Sequence, residues 1–120
     1  MPTVRLAMAV MVGLAATPAA AETVEVKMLN LGPNGTPMVF EPASVEIDPG
    51  DTVHFKAVDK SHNVQSLKGM IPDGAESFRG GINQSVKVTF EKNGTYAYKC
   101  LPHVYTGMVG VVKVGDWTKN

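Results

Sequence analysis

Residues 94–114 read Gly94-Thr95-Tyr96-Ala97-Tyr98-Lys99-Cys100-Leu101-Pro102-His103-Val104-Tyr105-Thr106-Gly107-Met108-Val109-Gly110-Val111-Val112-Lys113-Val114. The stretch opens on an alternation of period two, with Tyr96 and Tyr98 on one face, the pattern of a half-buried strand. It closes on an apolar run, Met108 to Val114, of a length suited to a second strand. The loop between the two carries a thiol, an imidazole and a thioether at Cys100, His103 and Met108, three and five residues apart. Two strands joined by a donor-bearing loop predict an all-β domain with its chemistry at one end, where loops are free to carry function.

The same period recurs upstream. Val24, Val26 and Met28 share one face of a first strand; Val45 and Ile47, then Val53, Phe55 and Ala57, then Val86, Val88 and Phe90 repeat it. Asp48-Pro49-Gly50-Asp51 supplies a fixed φ and a permissive glycine, and Asn93-Gly94 is a tight-hairpin pair, so both punctuate strands. Residues 60–81 are rich in Gly, Ser, Pro and charge and form a long connection, with one helical turn expected near Ala75 to Phe78. There is no internal repeat or linker. About six short strands in two packed sheets, a Greek-key β-sandwich, is the expected architecture.

The N-terminus reads as an export leader over residues 1–21. Arg5 is its only charge, Leu6 to Ala16 is apolar, and Ala19-Ala20-Ala21 precedes Glu22, which predicts cleavage after Ala21. The apolar run has 11 residues, against roughly 20 for a membrane-spanning helix, so no permanent anchor is expected. The remaining 99 residues, 22–120, suffice for one domain and not for two. Without Arg5 the chain carries 10 basic and 11 acidic residues, which argues against a nucleic-acid partner bound through a basic surface. The bacterial periplasm is the expected compartment, and a monomer the expected state.

An exported domain of this size would commonly be stapled by paired cysteines, yet the chain has one, Cys100. A lone thiol in an oxidising compartment is exposed to oxidation unless buried or ligated. Ligation also explains its neighbours: two imidazoles and a thiolate with a distant thioether suit copper cycling between +1 and +2. The loop supplies three of these donors. Outside it the chain offers His54 and His62. His54 falls inside the alternating strand Thr52 to Ala57, on the face opposite Val53 and Phe55, whereas His62 follows that strand in Asp59-Lys60-Ser61-His62-Asn63, where the chain turns over the end of the domain. His62 is therefore the expected fourth ligand. Zinc fits less well, because its structural sites use four thiolates or imidazoles.

Several segments resemble the cupredoxins, and within them the pseudoazurin group: Val39-Phe40-Glu41-Pro42, Pro49-Gly50-Asp51-Thr52-Val53, Val58-Asp59-Lys60-Ser61-His62-Asn63-Val64, Met70-Ile71-Pro72-Asp73-Gly74-Ala75-Glu76, and Lys99-Cys100-Leu101-Pro102-His103 with Gly107-Met108. The resemblance runs from about Glu22 to Asp116. It implies one type I copper with His62, Cys100 and His103 in a plane and Met108 on the axis. It also implies a redox partner such as a copper nitrite reductase or a cytochrome. Two departures stand out. Pseudoazurins continue past the last strand into a pair of helices, for which Asp116–Asn120 is too short. Leu101 also stands where relatives commonly carry a hydroxyl residue, so Asn63 is expected to rely on backbone partners.

These residues predict an electron shuttle in which the protein contributes rigidity. The backbone N–H of Asn63 is the expected donor to the thiolate, and Pro102 has none to give. Electrons are expected to leave through His103, in a small apolar patch with Pro37, Met38, Pro102, Val104 and Gly107, ringed by Lys60, Lys68, Arg79 and Lys99. A periplasmic copper chaperone or storage protein is the alternative. It is disfavoured because three of the seven methionines, Met1, Met8 and Met11, lie in the leader and the others are dispersed. An enzyme using Cys100 as nucleophile lacks an acid–base pair in a defined pocket.

Overall fold

The computed structural model describes residues 20–118. Of the leader assigned to residues 1–21, only Ala20 and Ala21, both exposed, fall among them. No helix of the described residues is long and apolar enough to cross a membrane.

Among the described residues, eight strands form two four-stranded sheets. In chain order they are β1 (Thr23–Leu31), β2 (Pro37–Glu41), β3 (Ser44–Ile47), β4 (Thr52–Ala57), β5 (Gln65–Ser66), β6 (Val86–Thr89), β7 (Gly94–Lys99) and β8 (Val109–Val114). One sheet has the order β2-β1-β4-β6 and the other β3-β8-β7-β5. The all-β sandwich and the bounds of β4 agree with the sequence reading. Four segments differ from it. The short β2 and β5 bring the strand number to eight. Ala75 to Phe78 forms no helical turn, because the Phe78 N–H and carbonyl are bound by Ser66 and Arg79 bridges to Gln65, so the end of the segment lies against β5. The donor loop is itself a short 3-10 helix, Leu101–Thr106.

Two parallel pairings decide where the site lies. β1 runs parallel to β4, in the register Met28↔Ala57, and β3 runs parallel to β8. The C-terminal ends of β1 and β4 meet, and the end of β7 lies at the same end of the sandwich, since Cys100, just after β7, approaches His62, after β4, to 3.8 Å. Strand alternation sends Val26, Met28, Val53, Phe55, Tyr96, Tyr98, Val112 and Val114 inward, each nearly or wholly buried. Tyr98 of one sheet makes edge contacts with Phe40 at 4.8 Å and Phe55 at 5.0 Å from the other. Such pairs add about 1 kcal/mol each beyond the area they bury, so Tyr98 is a rivet between the sheets. Gly110, opposite Tyr98 in β8, is what makes room for that ring. A Cβ there would lie 2.4 Å from the ring's Cζ and 2.7 Å from the Ala43 carbonyl oxygen.

Candidate metal centre

Cys100 is the next residue after β7 and, two positions beyond Tyr98, continues the inward face; it is fully buried. Its N–H donates to the Met108 carbonyl at 3.0 Å, closing the loop as β8 begins. Inside the loop the His103 N–H reaches the Cys100 carbonyl at 3.2 Å and the Met108 N–H reaches the His103 carbonyl at 3.2 Å. Gly107, at φ 88°, ends the 3-10 helix in the left-handed region that an L side chain resists. The backbone of the donor loop is thus fixed by its own hydrogen bonds.

His62 arrives from the far side. After β4 the chain turns through Ser61, at φ 73°. Its N–H donates to Asn83 Oδ1 at 2.6 Å, and the Asn83 N–H returns to the His62 carbonyl at 2.9 Å. The ring, fully buried, places Nδ1 3.8 Å from Cys100 Sγ, while His103 Nδ1 lies 3.5 Å from the same sulfur. The two imidazole centroids are 4.8 Å apart, and the three donor atoms all lie within 4.8 Å of one another. A point equidistant from three atoms so spaced is roughly 2.0–2.4 Å from each, the bond length of imidazole nitrogen or thiolate to a first-row metal ion. Met108, fully buried, follows on the same loop. The donor chemistry and spacing fit a copper ion.

Two asparagines hold this geometry. Asn30, near the end of β1, accepts a hydrogen bond at Oδ1 from His62 Nε2 at 2.7 Å, which fixes the proton on Nε2 and leaves the Nδ1 lone pair toward Cys100. Asn30 is itself tied down, its N–H donating to Asp59 Oδ2 at 2.7 Å. Asn63, buried, accepts the Leu101 N–H at 2.6 Å and donates to the Gly80 carbonyl at 3.2 Å and to Gln65 Oε1 at 3.0 Å. The expectation that Asn63 turns to backbone partners in the absence of a hydroxyl at position 101 is met, with Gln65 as an additional side-chain partner. Asn30 is a residue that sequence reasoning missed. It lies 32 positions from His62, and only the parallel pairing of β1 with β4 brings the two together.

Burial, and the proximity of His103, hold the His62 pKa below the ordinary imidazole value, with Asp59 pulling the other way. A neutral imidazole is the form a metal ion requires. His54, half-buried within β4 opposite Lys87, takes no part in the cluster. His103 is the partly exposed member of the set, and its helix also presents Leu101, 44% exposed, and Tyr105, 98% exposed. Those two apolar neighbours were absent from the patch expected from sequence.

Residues 26–115 match the family model for copper binding proteins of the plastocyanin/azurin family. The chain belongs to that family. It is 52% identical over 103 residues to the pseudoazurin of Methylorubrum extorquens, covering 86% of this chain and 69% of that one. It is 50% identical over 105 residues to the pseudoazurin of Paracoccus pantotrophus, covering 88% and 72%. The crystal structure of native pseudoazurin from Hyphomicrobium denitrificans superposes with a TM-score of 0.77 at 41% identity, covering 80% of this chain and 77% of that one. The chain is a copper-binding cupredoxin of the pseudoazurin kind, an electron carrier and not an enzyme.

Proposed function

We propose that His62, Cys100, His103 and Met108 hold one type I copper per chain, and that the protein, a periplasmic monomer, shuttles single electrons to redox partners such as a copper nitrite reductase or a cytochrome. The observation that carries the ligand set is the convergence of two imidazole nitrogens on one buried thiol, with Met108 closing the same loop. Bound copper supplies the one-electron couple. The chain supplies a site that need not rearrange: the loop is hydrogen-bonded to itself, Asn30 orients His62, and Asn63 ties the His62 segment to the Cys100 loop.

Burial of His62, Cys100 and Met108 leaves the His103 edge as the route by which electrons reach a partner. Lys60, Lys68 and Arg79 are exposed or partly so, as is Lys99, supporting a cationic rim that steers an acidic partner. The leader read over residues 1–21, with cleavage after Ala21, supports export. Stopped-flow oxidation of the reduced protein by a copper nitrite reductase tests the docking half of this reading. The second-order rate should fall steeply as salt rises, and a rate indifferent to salt would refute steering by the lysine rim.

A further inference from the structure

At the end of the sandwich opposite the metal centre, Asp51 is 7% exposed, and both its carboxylate oxygens are in use. Oδ1 accepts the backbone N–H of Glu22 at 2.9 Å and Oδ2 accepts that of Asp48 at 3.0 Å. The Glu22 carbonyl in turn accepts the Thr52 N–H at 2.9 Å, so the residue just before β1 is clamped on both sides. Glu22, Glu46, Asp48 and Asp51 line one shallow recess in which Lys113 is the only basic residue among those described, and the Lys113 ammonium lies over the Trp117 ring at 4.5 Å. Two neutral amides thus hold a nearly buried anion in an acidic surrounding, and among the described residues it forms no ion pair. Burying a charge in this way is costly unless a countercharge is supplied.

We propose that Asp51 is the receptor for a free α-amino group, created when the chain is cut between Ala21 and Glu22. The inference rests on the leader reading given under Proposed function. Hydrolysis by a leader-removing protease puts the hydroxyl of water on the Ala21 carbonyl carbon and its proton on the Glu22 nitrogen. The resulting amine is protonated at neutral pH. The nitrogen that becomes charged is the one already 2.9 Å from Asp51 Oδ1, so no backbone movement is needed. An amide with one hydrogen and no charge becomes an ammonium with three hydrogens and the missing positive charge. Ala20 and Ala21 are exposed and all eight strands of the described residues lie beyond them, so the cut removes none of those strands. Processing then does more than release the chain, because it installs the countercharge that locks β1 against β4.

The test is a cycle on the copper-loaded protein beginning at Glu22, with its amine free or acetylated, and with Asp51 intact or substituted Asp51→Asn. Acetylation restores the amide of the uncut chain and so removes the charge while keeping the N–H donor. At about pH 6.5, where the amine is charged, acetylation should lower the thermal midpoint by about 5 °C when Asp51 is intact and by no more than about 1 °C in the Asp51→Asn background. Equal shifts in the two backgrounds would overturn the contact. Should the Asp51→Asn protein fail to fold, the acetylation effect in the unsubstituted protein decides: it must shrink in roughly 1 M salt, and an effect independent of salt overturns the ion pair. The N-terminal mass of the protein exported with its own leader separates the two ways of failing. A start other than Glu22 overturns the proposal through the leader reading, whereas equal shifts overturn it through the Asp51 contact.

Discussion

Replacing Asn63 with Ala should loosen the metal centre and the fold together. The side chain spans three segments, accepting from the Leu101 N–H at 2.6 Å and donating to the Gly80 carbonyl at 3.2 Å and Gln65 Oε1 at 3.0 Å. Gln65 is half-buried and can turn to water, so its share of the loss is small. The part-buried Leu101 amide and the buried Gly80 carbonyl both lose the partner that Asn63 supplies. Two lost bonds at about 1 kcal/mol each, with part of the penalty for unsatisfied buried groups, come to about 3 kcal/mol. For a domain of this size that lowers the thermal midpoint by at least about 10 °C. Urea unfolding of the metal-free protein reads the stability, and removal of copper by a chelator reads the site. The second should speed up at least tenfold, since Asn63 is what ties the His62 segment to the Cys100 loop. A stability loss below about 1 kcal/mol, or unchanged copper release, would refute this account of Asn63; Gln65→Ala, as control, should cost less than about 1 kcal/mol.

Asn30→Ala removes the acceptor that fixes the His62 proton on Nε2, and copper affinity measured by chelator competition should fall roughly 10–100-fold. Pro102→Ala adds an N–H within the donor loop; a hydrogen bond to the thiolate worth about 1–2 kcal/mol would raise the reduction potential by roughly 40–80 mV, and voltammetry showing an unchanged or lower value contradicts the argument. Burial raises the pKa of Tyr98 well above the ordinary phenol value and raises that of Tyr96 as well. A group whose folded pKa is raised contributes stability that is whole below the unfolded pKa, about 10, and is lost as pH climbs above it. Tyr98→Phe should therefore flatten the alkaline loss of stability above about pH 10, as read by urea midpoints at successive pH values.

Period-two alternation made the sandwich legible, because one face of each long strand is buried and the other is wet. It could not reveal β5, which has two residues, or β2, whose burial pattern does not alternate. The Ala75 to Phe78 segment departs from expectation for a related reason: its composition permits a turn, and Phe78 is instead bound to Ser66, a partner 12 residues away. At the candidate metal centre, loop spacing pointed to Cys100, His103 and Met108 and strand position to His62 over His54, and of these the structure draws the donor atoms of His62, Cys100 and His103 together. The contacts that orient the ligands were not legible. Asn30 and Asn63 act across 32 and 38 residues of sequence, through a strand pairing that local pattern does not specify. Polar side chains that serve other side chains leave no periodic trace.

The most direct test of the copper assignment is the visible absorption and electron paramagnetic resonance of the protein from Glu22 to Asn120 after addition of Cu(II), beside Cys100→Ser. Ligation by Cys100 predicts an intense thiolate-to-copper charge-transfer band that disappears in the serine variant. A colourless protein, or a band that survives the loss of the thiol, would contradict it.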